Sequence, residues 1–284
     1  MKITRTIADH RRQIRAWQNA GARVALTPTM GALHPGHLSL VTLGRERADR
    51  VVATLFINPT QFGAGEDLST YPHDEARDAA LLEEAGCDML FAPPLEEVYP
   101  PGFCTEVRVT GLTDCLCAAS RPGHMDGVAQ VVTKLLNQAG ADVAIFGEKD
   151  WQQLAVIRRL AKDLDIPTEI LGAPTVREAD GLAMSSRNRY LDPTQRLIAA
   201  RLNNVLFSAA DRIAKGAPVA EECATSARTL LTAGFERVDY VEARDAETLA
   251  PLTSAPKHRE GRIFAAAHLG RARLIDNVRI ARID

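Results

Sequence analysis

The sequence predicts an α/β protein in which a doubly wound parallel sheet is followed by a smaller α+β domain. Strand-like and helix-like segments alternate from residue 23 to residue 174, which is the pattern of βαβ units. Two helical segments and three short strand-like runs follow, which is typical of an α+β domain. Hydrophobic residues make up 46% of the 284-residue chain, enough for a globular core. We therefore expect a Rossmann-like domain over residues 1–175 and a smaller domain over residues 176–284.

The first βαβ unit begins at residue 23. The run RVALTP (23–28) predicts a strand, HLSLVTLGRERA (37–48) an amphipathic helix, and RVVATLFI (50–57) a second strand. Strands that are joined by a helix are parallel, and their crossover is right-handed. The alternation continues with helices at 74–86, 127–140 and 151–164, and with strands at 87–93, 142–147 and 168–174. The alternating run TEVRVT (105–110) predicts an additional, antiparallel strand.

The C-terminal part has a different pattern. Long helical segments are predicted at 192–216 and 218–235, and strands at 238–245, 261–270 and 272–280. Short strands in succession predict an antiparallel meander.

Composition excludes several classes of protein. The formal net charge of −2 provides no field that would attract nucleic acid or an anionic membrane. The N-terminal run MKITRTIADHRRQIRAW lacks the apolar segment of a secretory signal, and the longest apolar run, VVATLFI, is far shorter than a membrane span. Five cysteines without a CxxC pair indicate neither a disulfide framework nor a zinc site. We expect a cytoplasmic protein that binds neither nucleic acid nor membrane.

Four polar loops follow predicted strands. Ligands bind beyond the carboxyl ends of the strands in a doubly wound sheet, so we expect these loops to converge on one edge and form a site. The loops are TPTMGALHPGH, NPTQF, GEKDWQQ and PTVREADGLAMSSRN.

The first loop contains an HxGH motif formed by His34 and His37 around Pro35 and Gly36. Glycines at 31 and 36 let the backbone approach a ligand, and Pro35 stiffens the turn. Two imidazoles at a helix N-terminus can donate to phosphate oxygens and stabilise charge on a leaving group. Helix capping is the alternative role of such a pair. Metal binding is disfavoured because the histidines lack the i, i+4 spacing.

Two later loops carry charged and hydroxyl side chains. Lys149 in GEKD is a candidate for binding phosphate, and Asp150 for binding Mg²⁺ or a substrate hydroxyl. A simple helix cap is the alternative for Asp150. The run MSSRN (184–188) suits a mobile loop that closes on a triphosphate, with a polar linker as the alternative.

Five motifs in this order resemble the pantothenate synthetase (pantoate–β-alanine ligase) family: PTMGALHPGH, NPTQF, RPGHMDGV, FGEKDWQQ and MSSRN. The resemblance covers about residues 28–190, and the remaining part fits in size and order. HxGH and the serine-rich loop also occur in the larger superfamily of nucleotidylyltransferases and class I aminoacyl-tRNA synthetases. NPTQF and FGEKDxQQ point to this one family.

The resemblance implies a two-step ligation. Pantoate attacks the α-phosphate of Mg·ATP to give pantoyl adenylate and pyrophosphate, and the β-alanine amine then displaces AMP to give pantothenate. Mg²⁺ accompanies ATP as substrate, and no bound organic cofactor is expected. The first step mainly needs in-line positioning and neutralised phosphate charge.

The resemblance also implies the site residues. The catalytic residues are His34, His37 and Lys149. The ATP-binding residues are Met30, Gly31, Ala32, Leu33, His34, Pro35, Gly36, His37, Gly147, Glu148, Lys149, Asp150, Val176, Met184, Ser185, Ser186 and Arg187. Pantoate and β-alanine bind Asn58, Gln61 and Gln153, the metal lies near Asp150, and Arg121 is a further charged candidate.

Two other functions stay open at this point. One is a different adenylyl- or cytidylyltransferase of the same superfamily, and the other is a non-catalytic nucleotide-binding protein. The resemblance further implies a homodimer formed through the N-terminal domain, with residues 105–110 at its interface.

Overall fold

The computed structural model describes residues 1–63 and 66–282, and the chain forms two compact units. The first unit comprises Met1–Thr110, Arg121–Glu148 and Val156–Pro174. The second comprises Gly111–Ser120, Lys149–Ala155 and Thr175–Asp284. The two units are therefore interleaved along the chain, and the domain limits 1–175 and 176–284 stay a prediction.

The secondary structure of the described residues alternates between strands and helices in the first unit. The strands are β1 (Lys2–Thr4), β2 (Val24–Thr29), β3 (Arg50–Leu55), β4 (Met89–Phe91), β5 (Val143–Gly147), β6 (Glu169–Ala173), β7 (Arg237–Asp245), β8 (Gly261–Leu269) and β9 (Ala272–Ile280). The helices are α1 (Ile7–Asn19), α2 (Pro35–Arg47), α3 (Glu75–Glu84), α4 (Leu95–Val98), α5 (Leu116–Ser120), α6 (His124–Ala139), α7 (Trp151–Asp163), α8 (Pro193–Ala199), α9 (Arg201–Ala214) and α10 (Val219–Thr232).

The first unit contains a six-stranded sheet in the order β1-β4-β3-β2-β5-β6. All neighbouring strands in it are parallel. The chain proceeds from β2 to one side of the sheet through β3 and returns to the other side through β5, so the order reverses between β2 and β5. The prediction of a doubly wound α/β sheet is confirmed.

Helices cover both faces of this sheet. Ala25 of β2 belongs to a buried cluster with Val41 of α2 and Leu82 of α3. Successive side chains of a strand point to opposite faces. On β4, Leu90 belongs to this same cluster, whereas the adjacent Phe91 stacks on His10 of α1 with ring centroids 4.2 Å apart. The α2 and α3 helices therefore cover one face, and α1 covers the other.

The second unit is built on an antiparallel meander with strand order β7-β8-β9. Leu202, Leu206 and Ile213 recur at helical spacing along α9, and all three are buried. They belong to the same cluster as Ile263 and Ala265 of β8. The predicted smaller α+β domain with a meander is confirmed.

Three local predictions differ from the structure. The predicted helix at 192–216 is divided at Ala200 into α8 and α9. The predicted strand at 105–110 is wrong, because this segment has no strand partner in the described residues and Val107 N donates to Gln130 Oε1 at 3.0 Å instead. Its alternating pattern reflects the burial of Val109 between exposed neighbours. The elements β1 and α1 were not predicted, because β1 has three residues and α1 is rich in arginine.

A search of the described helices for membrane spans found none that is long and apolar enough.

Gly127 on α6 should tolerate no side chain. A Cβ atom at this position would overlap Thr60 O and lie 2.6 Å from Gln61 Cα, which are backbone atoms. We expect Gly127→Ala to lower the free energy of unfolding by about 1–3 kcal/mol, as overpacked core substitutions do. Denaturant unfolding of the full chain measures this loss.

Gly147→Ala is the matched control for Gly127→Ala. A Cβ on Gly147 would meet nothing within 4 Å. We expect its stability to stay within about 0.5 kcal/mol of wild type. Equal stability of the two variants would contradict the close packing of the 58–61 turn on α6.

His10 should make the stability of the protein depend on pH. Burial, with a smaller effect of the Arg11 charge, lowers the pKa of His10 from 6.5 to about 4. The unfolded chain then binds more protons between these values, so stability is complete above the unfolded pKa and falls as the pH decreases towards the folded pKa. Between about pH 7 and about pH 5 we expect wild type to lose roughly 2 kcal/mol more than His10→Phe. Parallel pH dependences in denaturant unfolding would contradict this.

Candidate active site

The point where the strand order reverses places two loops next to each other. Residues 30–34 follow the carboxyl end of β2, and Glu148 follows the carboxyl end of the adjacent β5. Ligands of doubly wound sheets bind at such a position. The backbone of Gly147 is open to close approach, because an added Cβ would contact nothing within 4 Å.

A buried carboxylate holds the loop after β2. Ala32 has a left-handed backbone with φ 53°, which is costly for a residue other than glycine. Asp78 Oδ2 accepts a hydrogen bond from Ala32 N at 2.8 Å, and Asp78 Oδ1 accepts one from Leu33 N at 2.9 Å. Asp78 is fully buried on α3, so these backbone donors compensate for the loss of water around the carboxylate. The clamp fixes the backbone immediately before His34.

The two histidines of the HxGH motif cap α2, with His34 at the N-cap and His37 in the first turn. His34 Nδ1 accepts from Gly36 N at 3.2 Å, and His37 Nδ1 accepts from His34 N at 3.4 Å. A ring nitrogen that accepts carries no proton, so the neutral form of each ring carries its proton on Nε2. Capping and phosphate binding are therefore compatible, because they use different nitrogens of each ring.

The NPTQF loop connects to the loop after β2 through side chains. Asn58 Nδ2 donates to Gln61 Oε1 at 3.1 Å and to Gly127 O at 3.0 Å. Gln61 Nε2 in turn lies 3.0 Å from Met30 Sδ. The structure thus brings together Met30, Asn58 and Gln61, which the sequence motifs assigned to different ligands.

Arg121 forms a bidentate ion pair with Glu66. Its Nε and Nη2 atoms lie 2.7 Å and 2.5 Å from the two carboxylate oxygens. Hydrogen bonding to this guanidinium, together with its charge, lowers the pKa of Glu66 to about 2 although burial opposes the shift. Arg121 Nη2 also lies 3.5 Å from Gln61 O, which accepts from or faces His124 Nδ1 at 2.8 Å. Both residues of RPGH that carry charge or a ring therefore support the NPTQF loop.

The GEKDWQQ segment passes from the first unit to the second after Glu148. In the second unit, Asn277 Nδ2 of β9 donates to Lys149 O at 2.9 Å, and Trp151 Nε1 donates to Ala246 O at 2.7 Å. The Arg262 guanidinium lies 3.4 Å from the centroid of the Trp151 ring. These contacts hold the backbone that carries Lys149, Asp150 and Gln153.

The two glutamines of this segment have different surroundings. Gln152 is buried and donates to Leu112 O at 2.9 Å and Cys115 O at 2.8 Å, while its Oε1 accepts from Cys117 N at 3.0 Å. Gln153 is half-buried on the first turn of α7. Gln152 is therefore structural, which agrees with assigning the ligand role to Gln153.

The remaining predicted ATP-binding residues lie on the second unit. Met184 N donates to Val176 O at 3.0 Å, so a short turn brings Val176 and Met184 together. Ser185 caps the 3₁₀ helix Ser186–Tyr190 by accepting from Arg187 N at 3.2 Å. The MSSRN run is thus an ordered cap in this structure.

One carboxylate is available to Mg²⁺ in the predicted place. Asp150 Oδ2 lies 3.9 Å from Lys149 Nζ, and the described residues contain no group of three or more His, Cys, Asp or Glu side chains that could hold a metal. Mg²⁺ that arrives on ATP takes most of its ligands from phosphate and water, and needs only one or two carboxylates. The donor set fits Mg·ATP as a substrate and does not fit a resident metal centre.

Several supporting residues were not predicted from the sequence. Asp78 left one signal, because a charged side chain stands one turn before Leu82 on the apolar face of the predicted helix. Gln152 and Asn277 left none, since their partners are distant in the chain.

Comparison with known proteins gives a consistent result. The family model for pantoate-beta-alanine ligase matches residues 2–279. The pantothenate synthetase of Paramagnetospirillum magneticum is 58% identical over 276 residues, which is 97% of this chain and 96% of the relative. That of Caulobacter vibrioides is 52% identical over 279 residues, which is 98% of each chain.

Solved structures agree with the family match over the whole fold. The pantothenate synthetase of Thermus thermophilus superposes with a TM-score of 0.90 at 45% identity, covering 98% of this chain and 99% of that one. The pantoate-beta-alanine ligase of Francisella tularensis, complexed with beta-gamma ATP and beta-alanine, gives a TM-score of 0.80 at 31% identity and covers 98% and 97% of the two chains. The resemblance predicted from the five motifs is confirmed, and the chain belongs to the pantoate–β-alanine ligase family.

Proposed function

We propose that this protein condenses pantoate with β-alanine to form pantothenate, using ATP and releasing AMP and pyrophosphate. The observation that carries the proposal is the pair of histidines that caps α2 at the reversal of strand order, with the ring protons on Nε2. Donors at a helix N-terminus are suited to the phosphates of a nucleotide. Family membership adds the two carbon substrates.

The first step joins the pantoate carboxylate to the α-phosphate of ATP. A carboxylate oxygen forms a bond to the phosphorus while the bond to the bridging oxygen breaks, and pyrophosphate leaves with the electron pair. We propose that the Nε2–H groups of His34 and His37 donate to phosphate oxygens as this negative charge develops. The positive end of the α2 dipole acts in the same direction.

The other residues of the first unit position the two substrates. We propose that the backbone of Gly31, Ala32, Leu33, Pro35 and Gly36 approaches ATP, together with Met30, Gly147 and Glu148. Asn58 and Gln61 hold pantoate, and Gln61 also meets β-alanine. The charge of Arg121 is largely neutralised by Glu66, so we assign it to support of the loop.

The roles proposed for the second unit concern charge and closure. Lys149 binds the phosphates, Asp150 meets the ribose or the Mg²⁺ that accompanies ATP, and Gln153 binds pantoate. Val176 contacts the adenine through its backbone, and Met184, Ser185, Ser186 and Arg187 form the segment that closes on the nucleotide. When bound, Mg²⁺ neutralises phosphate charge.

In the second step the β-alanine amine attacks the acyl carbon of the adenylate. A C–N bond forms, the C–O bond to AMP breaks, and the nitrogen loses a proton. We further propose that the protein works as a cytoplasmic homodimer. Sedimentation of a clean monomer at micromolar concentration would argue against the dimer.

The proposed intermediate predicts exchange of pyrophosphate into ATP. With pantoate and Mg²⁺ present and β-alanine absent, labelled pyrophosphate should enter ATP, because adenylate formation is reversible. Omitting pantoate should abolish the exchange. Exchange that instead requires a phosphate acceptor would favour a different transferase, and ATP binding without any exchange would favour a non-catalytic protein.

Substitution of His34 can separate its capping role from its phosphate role. In His34→Asn the amide oxygen can replace Nδ1 as the cap, whereas no donor remains at the position of Nε2. We expect stability within about 0.5 kcal/mol of wild type, but an exchange rate that is lower by roughly two orders of magnitude.

His34→Gln is the matched comparison for this prediction. Its amide reaches towards the position of Nε2 but cannot cap α2, so we expect a less stable protein, by about 1 kcal/mol, that retains more exchange activity than His34→Asn. The opposite ranking of the two activities would contradict the role of Nε2.

A further inference from the structure

Asn58 lies at the centre of a hydrogen-bond network that includes a tyrosine outside all of the sequence motifs. Tyr99, which directly follows α4, has its Oη 2.9 Å from Asn58 Oδ1. Thr60 Oγ1 lies 3.0 Å from the same oxygen. An amide oxygen only accepts hydrogen bonds, so both hydroxyl groups donate to it.

The amide nitrogen of Asn58 faces only acceptors. Its two hydrogens are directed to Gly127 O at 3.0 Å and Gln61 Oε1 at 3.1 Å. Asn58 is 1% exposed, so an inverted amide would bury one carbonyl oxygen against two others, which is unfavourable. The two hydroxyls and the two carbonyls therefore agree on one orientation of Asn58.

This orientation determines which end of the Gln61 amide is available. Because Gln61 Oε1 accepts from Asn58, Nε2 is the end that points away, and it lies 3.0 Å from Met30 Sδ. A thioether sulfur is a weak acceptor. A substrate oxygen can replace it with a stronger hydrogen bond.

We propose that Tyr99 is a positioning residue that orients Asn58, and through it makes Gln61 a hydrogen-bond donor towards an oxygen of pantoate. This inference rests on the proposed function and deepens it. It implies that Gln61 recognises a carboxylate or hydroxyl oxygen as an acceptor, and that Asn58 acts through Gln61.

The surroundings of Tyr99 favour a donor that stays protonated. Burial raises the pKa of Tyr99 above its ordinary value. The ring packs edge-on against Phe103 with centroids 5.3 Å apart and lies 6.1 Å from Phe56. A phenylalanine at this position keeps these ring contacts and removes only the hydroxyl.

Tyr99→Phe in the full-length protein tests the proposal. Loss of one donor leaves Thr60 alone on Asn58 Oδ1, so part of the population carries the Gln61 oxygen towards the substrate. In the pyrophosphate-exchange assay we expect the KM for pantoate to rise about ten-fold, equivalent to about 1.4 kcal/mol. The KM for ATP should not change, and kcat should fall by less than about three-fold.

Two further variants make the result specific. Thr60→Val removes the other donor to the same oxygen, so it should also raise the KM for pantoate, and the double variant should bind pantoate more weakly than either single variant. Tyr240→Phe is the matched control, because it removes a buried hydroxyl that lies 3.1 Å from Cys117 Sγ in the second unit. It should leave the KM for pantoate unchanged.

The outcomes separate this inference from the proposed function. Wild-type exchange that requires pantoate, with an unchanged KM for pantoate in both Tyr99→Phe and Thr60→Val, would overturn the inference alone. Equal increases in the KM values for pantoate and ATP would also overturn it, because they would indicate general distortion. Absence of pantoate-dependent exchange in wild type would overturn the proposed function and this inference with it. If Tyr99→Phe fails to fold, the Thr60→Val result decides.

Discussion

The reversal of strand order between β2 and β5 is the constraint on which the site of the first unit depends. Right-handed crossovers place α2 on one face when the chain moves from β2 to β3, and later connections place helices on the other face. The loops after β2 and β5 therefore leave the sheet as neighbours without a helix between them. The N-terminus of α2 is directed to this position, which is where an anion is most stable. The histidines use this position, since they cap the same helix.

Buried polar side chains hold the loops that the sheet leaves irregular. Asp78 binds two backbone N–H groups before His34, and Asn58 joins the NPTQF loop to α6. Gln152 has the same function in the second unit, where it binds three backbone groups of residues 112–117. Each of these groups would be costly to bury without partners. Their hydrogen bonds specify one loop conformation, so the ligand-binding residues are positioned before substrate arrives.

The regular elements and the motif-bearing loops were predictable from the sequence, because their signals are local. Apolar runs such as 50–57 indicated the central strands, and HxGH indicated a phosphate site beyond the first of them. The strand predicted at 105–110 was wrong because alternation does not supply a partner strand. Asn277 and Tyr99 were not found because their contacts, with Lys149 and Asn58, join residues 128 and 41 positions apart. Nothing in a single sequence marks such pairs.

The described contacts also give the first unit a common hydrogen-bond polarity. The Nδ1 atoms of His34 and His37 are engaged by backbone N–H groups, and Gln61 Oε1 is engaged by Asn58. In each case an internal donor occupies the acceptor of a side chain that has both, and the donor end is directed elsewhere. ATP and pantoate present phosphate, carboxylate and hydroxyl oxygens, which are mostly acceptors. A site whose donors are selected by the fold favours such ligands and resists those that offer only N–H groups.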